Sequence, residues 1–169
     1  RRGLPTCILC HAPAYDNVTN VNPETGNTID MPVMIHKIHM GSLLPSVKAG
    51  TPYRIIRNAT AVNDYSHVTL PSEVNNCGKC HDTSATQANT WYTKPSAKAC
   101  GACHDDVNFA SGQNHANGIP VTDSASCARC HIAEGDRDFD SSIKGAHKDP
   151  TQSSLITGIV GEITSVEST

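Results

Sequence analysis

Apolar residues in this chain come in short, broken runs. The stretches Met31 to Ile35 and Leu155 to Val160 are among the longest, far below the ~20 consecutive apolar residues of a membrane-spanning helix. In the first of them Val33, Ile35 and Ile38 interleave with His36, Lys37 and His39, and Asp30 suits an N-cap, Pro32 a first turn and Gly41 a stop. A short helix is predicted between those signals. Further caps stand at Ser72-Glu73 after Pro71, at Ser96 after Pro95, and at Asp123 or Ser124, each predicting a brief helix a few residues on. Asn, Gly, Thr and Pro clusters such as Asn20 to Gly26 read as turns. Asp64 to Pro71 alternates like an extended segment, and Ser153 to Val166 is β-branched and partly alternating, which predicts a C-terminal strand. The expected fold is mostly irregular, with short α-helices and little β-structure.

Composition makes that picture harder to stabilise. Of 169 residues, 37% are apolar and only 4% aromatic, yet the chain carries 8 Cys and 9 His. Large rings normally fill a core, so here something else must. A net charge of −3, with Lys and Arg scattered rather than clustered, excludes a nucleic-acid footprint. The chain opens at Arg1 with no signal-peptide core, as expected of a processed form or an excised piece.

The cysteines supply the missing bulk. They fall without remainder into Cys7-Ile8-Leu9-Cys10-His11, Cys77-Gly78-Lys79-Cys80-His81, Cys100-Gly101-Ala102-Cys103-His104 and Cys127-Ala128-Arg129-Cys130-His131. Cys-x-x-Cys-His is the attachment motif of c-type haem. Positions i and i+3 share a helical face, so Cys7/Cys10, Cys77/Cys80, Cys100/Cys103 and Cys127/Cys130 can each add to the two vinyl groups of one porphyrin. The following His11, His81, His104 or His131 reaches the same face and can bind the iron as proximal ligand. Zinc thiolate sites, a disulfide framework or a dithiol redox motif also use paired cysteines. None explains a His after every pair, a coincidence of roughly 1 in 10⁵ at this chain's His frequency. Four covalent haems are therefore expected, about 42 residues apiece, too few to insulate one haem from the next.

Four closed irons need four more ligands, and five His remain. Closed irons carry electrons, whereas a catalytic multihaem oxidoreductase needs an open one. His36 and His39, at i and i+3 of the predicted helix, cannot flank one haem but can reach two adjacent ones. His115 and His147 follow small residues that let backbone approach a porphyrin. His67, in the extended segment, is left out as a ligand; a hydrogen bond to a propionate or simple exposure suits it better. Each ferric bis-His haem with ionised propionates adds about −1, taking the net charge to about −7.

The first cysteines of successive motifs are separated by 70, 23 and 27 residues, so residues 12–76 should cover haems anchored elsewhere and make one tetrahaem unit of residues 1–150. Residues 151–169 would then be an extension or the start of a following β domain. Asp136, Asp138 and Asp140 imitate the start of a calcium loop, but Ser141 and His147 stand where Gly and Glu are needed. A looser Ca²⁺ site near them, or near Asp105 and Asp106, stays open beside the simpler reading of a solvated acidic loop.

The runs Pro32-Val33-Met34-Ile35-His36-Lys37-Ile38-His39-Met40-Gly41, Asn76-Cys77-Gly78-Lys79-Cys80-His81 and Ala99 to His115, the last including Asp105-Asp106-Val107-Asn108-Phe109, resemble the OmcA/MtrC-type outer-membrane multihaem cytochromes. The terminal Glu162-Ile163-Thr164-Ser165-Val166 adds to the likeness. That resemblance implies pentahaem modules paired with β domains, His36, His39, His115 and His147 as distal ligands, and a place at the cell surface or in secreted form. It also implies electron transfer to minerals, flavin shuttles, other multihaem cytochromes or outer-membrane conduit proteins. The departure is that four motifs stand where the family module has five. A piece of a decahaem protein, a compact tetrahaem relative, and a self-assembling filament subunit all fit that count.

Overall fold

The computed structural model describes residues 4–11, 22, 25–58, 60–158, 161 and 164–165. Among these residues there are six short α-helices: α1 (Leu4–Ile8), α2 (Met31–Met40), α3 (Pro45–Lys48), α4 (Thr90–Thr93), α5 (Ala97–Cys100) and α6 (Ile143–Ala146). Strands β1 (Arg54–Asn58) and β2 (Ala61–Asp64) form one antiparallel hairpin. Turns, 3₁₀ segments and irregular backbone make up the remainder.

The expected helix is α2, and Gly41 ends it at φ +44°, its N–H bonded to the Lys37 carbonyl. A Cβ there would collide with the Val68 carbonyl and side chain, so glycine is required twice over. The start lies where expected, with Asp30 at the N-cap and Pro32 in the first turn. Asp30 precedes the helix but makes no side-chain cap bond; its carboxylate is fully buried and paired with Lys98 of α5, which ties α2 to the segment carrying Cys100. The predicted caps at Ser96 and Asp123 are observed, accepting from Ala99 N at 3.2 Å and Ala125 N at 2.9 Å. Ser72 caps nothing. Cys77–Lys79 is a 3₁₀ turn after Asn76, whose amide donates to Asp149 at 2.6 Å instead of capping.

The hairpin was not expected, and β2 ends at Asp64, so the segment to Pro71 turns rather than extends. Its register pairs Arg54 with Asp64 and Ile56 with Val62, with an irregularity before Asn58. The free edge of β1 is closed by the Asn22 amide, which accepts from Ile56 N at 3.1 Å and donates to Ile56 O at 2.6 Å; one side chain thus mimics a strand partner.

Residues 153–158 correct a second expectation. They form turns and irregular backbone, with Leu155 and Ile156 exposed, and no strand occurs there. A lone β-branched stretch has no ladder without a partner strand. The rest of the predicted strand lies mostly outside the described residues.

Among the described residues, the buried apolar side chains are Val33, Leu44, Tyr53 and Ala102. Ile119, Ile132 and Phe139 are exposed. So small a core cannot offset the conformational entropy of a chain this long, which matches the deficit read from the composition.

Candidate functional site

All four Cys-x-x-Cys-His runs adopt one backbone turn. The His N–H donates to the first Cys carbonyl at 2.9 Å in each, and the second Cys N–H reaches the same carbonyl at 3.1 to 3.2 Å. The eight thiols are free of disulfides. Among the described residues no three His, Cys, Asp or Glu side chains converge as a metal cage.

The histidines come together in facing pairs from distant parts of the chain. His36 on α2 faces His81 with ring centroids 6.2 Å apart and planes 11° from parallel. His147, at the end of α6, faces His104 at 6.3 Å and 76°. His115 faces His131 at 6.2 Å and 38°. An imidazole binds a metal through nitrogen at ~2.0 Å, and that nitrogen lies about 1.1 Å from the ring centre. Two imidazoles sharing one iron therefore stand about 6.2 Å apart, and the three pairs fit haem iron at that spacing.

The second ring nitrogen of each candidate distal ligand is held by backbone. Nδ1 meets a carbonyl oxygen at 2.6 Å in His36 (Pro32), 2.7 Å in His39 (Ile35), 2.6 Å in His115 (Ile119) and 2.7 Å in His147 (Ile143). A carbonyl only accepts, so Nδ1 carries the proton and Nε2 keeps its lone pair for a metal. Burial, with the neighbouring His81 and His39 adding to it, lowers the His36 pKa against the pull of the Pro32 carbonyl; a ligand must be neutral, and this one is held so.

A family model for the MtrC/MtrF-like outer membrane cytochromes, domains II/IV, matches residues 1–147. The chain belongs to this family. The crystal structure of the outer membrane decahaem cytochrome OmcA matches this multihaem cytochrome with a TM-score of 0.60 and 27% identity, over 87% of this chain. The chain spans only 20% of the OmcA chain. No curated protein matches it.

Three of the Cys-x-x-Cys-His motifs lie side by side. Burial, then the adjacent Cys77 and Cys100 thiols, pushes the Cys103 thiol up to about 11. Burial likewise raises Cys100, with Cys127 adding to it. The Ala97 N–H at the start of α5 donates to Ser124 Oγ at 3.2 Å, joining the third motif to the fourth.

His11 and His39 form no such pair. Met31 N donates to the His11 carbonyl at 3.0 Å and His11 Nδ1 meets Ile29 O at 2.8 Å, so His11 sits beside the start of α2. His39 lies near the other end, about 12 Å further along the helix at 1.5 Å per residue. His67 is exposed.

Several residues that shape the sites escaped the sequence reading. Trp91 stands edge-on to His147, with ring centroids 6.3 Å apart and planes at 83°, and Phe109 packs on His115 at 5.6 Å. Trp91 is the single tryptophan, a signal that was available. Asp105, weighed above as a calcium ligand, has both oxygens engaged: Lys37 Nζ at 2.6 Å, Ser46 Oγ at 2.6 Å and Ser46 N at 2.9 Å. Asp140 accepts from Ser142 and from Arg137 N, and Asp138 faces Lys148 at 3.3 Å. These carboxylates stitch loops together.

Proposed function

We propose that residues 1–150 form an electron-transfer module carrying four covalent c-type haems, working outside the cytoplasm at the cell surface. A bound haem supplies a one-electron Fe(III)/Fe(II) couple, and bis-His ligation keeps its potential low relative to Met/His ligation. The observation that carries this reading is the set of three imidazole pairs at 6.2 to 6.3 Å. We assign His81 with His36, His104 with His147 and His131 with His115 as axial pairs. The chain's task is to hold these rings neutral and aimed, and to keep the motifs of Cys77, Cys100 and Cys127 adjacent, so that electrons cross short gaps between sites. Other multihaem cytochromes, outer-membrane conduit proteins, minerals and flavin shuttles are the partners this reading favours.

His39 has the Nδ1 anchor of a ligand but faces none of the four proximal histidines. We assign it to an iron anchored on a motif other than these four; among the described residues no histidine ring faces His11. That is also the observation that favours the runner-up, a multihaem oxidoreductase acting at an open iron.

The test is the holo form of this chain. We expect a mass increase of four haems, reversible oxidation and reduction of all four on an electrode without mediators, and three low-spin irons. Carbon monoxide should bind one reduced haem. Four low-spin irons inert to carbon monoxide would refute the assignment of His39, and turnover of a small oxidised substrate at that one haem would favour the oxidoreductase.

A further inference from the structure

The three facing imidazole pairs share one separation but not one twist: their planes lie 11°, 38° and 76° apart. A hydrogen bond from Nδ1 to a carbonyl fixes the tautomer and helps to set the ring's orientation, and a side chain packed on the ring constrains its twist further. The nearly perpendicular pair is the one whose distal ring meets a tryptophan edge. Trp91 stands at 83° to His147 and is itself packed by its neighbour Tyr92. Tyr92 packs on it in a T-shape at 4.9 Å, and Lys144 of α6, three residues before His147, lies 5.4 Å over the Tyr92 ring. Helix α4 thus meets the end of α6 at His147 and at Lys144, whereas no tryptophan or phenylalanine ring contacts His36 among the described residues.

Ring twist has an electronic consequence at a low-spin iron. Parallel imidazoles donate π-density along one direction, split the two iron orbitals that share the unpaired electron, and favour the ferric state. Perpendicular imidazoles leave those orbitals nearly equal in energy, which gives a strongly anisotropic paramagnetic resonance and a higher potential. Such orientation by neighbouring side chains is one of the few levers a protein has on a haem.

We propose that Trp91 is a positioning residue that holds the His147 ring across that of His104, making this the most anisotropic and highest-potential of the three paired sites. The inference rests on the axial pairs assigned above. It gives electrons in the run of adjacent motifs at Cys77, Cys100 and Cys127 a resting place at the middle one.

The experiment uses the holo chain, with paramagnetic resonance and a potentiometric titration of the wild type, Trp91→Leu, Trp91→Phe and His147→Ala. The wild type should show one highly anisotropic low-spin signal, of about one spin, beside rhombic ones. Trp91→Leu should convert that signal to a rhombic one and lower a single potential, with four haems still attached; Trp91→Phe, which keeps an aromatic edge, should retain it. An unchanged anisotropic signal in Trp91→Leu, its absence from the wild type, or loss of low-spin character in Trp91→Leu would each overturn the proposal, the last because Trp91 would then hold the ligand rather than orient it. If His147→Ala leaves every low-spin signal intact, the axial pairing itself has failed.

Discussion

Replacing Lys37 by Met removes one half of the best-buried ion pair that joins two parts of the site. Lys37 lies on α2 between His36 and His39, Asp105 follows His104, and the two side chains are 16% and 5% exposed with N and O 2.6 Å apart. At an effective dielectric constant of about 20 the direct attraction is about 6 kcal/mol, but much of it offsets the cost of taking both charges out of water. Deleting one partner of such a pair costs about 3 to 5 kcal/mol, because the other charge stays buried. Ser46 keeps two hydrogen bonds on Asp105, which holds the loss toward the lower end. The ammonium also lies 5.4 Å over the Tyr53 ring, worth about 0.5 to 1 kcal/mol more. The expectation for Lys37→Met is therefore about 3 kcal/mol, roughly two decades in the folding equilibrium. Denaturant unfolding of the holo protein, followed by circular dichroism and the haem Soret band together, measures it. The double variant Lys37→Met/Asp105→Leu should recover most of the loss, since it leaves no orphaned charge. A loss below about 1 kcal/mol for Lys37→Met, or no recovery in the double variant, would refute the claim that this pair fastens α2 to the third motif.

Acid should reach the same pair. Burial works against ionisation of Asp105, but the Lys37 ammonium and Ser46 outweigh it and lower its pKa; a depressed carboxylate stabilises fully above its unfolded pKa of about 4 and loses that contribution as pH falls through its folded value. Asp105→Asn should be the less stable form at neutral pH, and its deficit should shrink below about pH 4 in acid titrations of unfolding. His36→Met should raise one potential by on the order of 0.1 V, within the ~0.8 V span that axial ligands command; a potentiometric titration with all four waves unmoved would remove His36 from the ligand set. Gly41→Ala puts a Cβ into the Val68 carbonyl at a left-handed φ, and about 2 kcal/mol or more of lost stability is expected from thermal unfolding, since the conformation alone costs about 1 to 2.

How far the chain could be read depended on how local each feature is. The Cys-x-x-Cys-His turns close within five residues, so all four were legible, and the same holds for α2 with its Gly41 stop and for the caps at Ser96 and Asp123. Asp30 was read correctly as the N-cap, but its carboxylate goes to Lys98, distant in the chain, because a buried carboxylate is better paired with a cation. The stretch 153–158 was misread because alternation states a preference for a ladder without supplying a partner. Trp91, Phe109 and Asp105 carried no short-range sign of what they touch.

Cysteine count, motif spacing and the shortage of large rings were enough to mark four Cys-x-x-Cys-His motifs and a chain that cannot fill its own core, because each motif is set by neighbours three and four residues apart. Which histidine faces which was decided only in three dimensions. The pairs His36 with His81, His147 with His104 and His115 with His131 depend on α2, α6 and the loop after the third motif being drawn against motifs far away in the chain. The same packing brought Trp91 against His147 and left His39 and His11 apart, since an imidazole must be delivered to within a few tenths of an ångström by the whole of the surrounding structure.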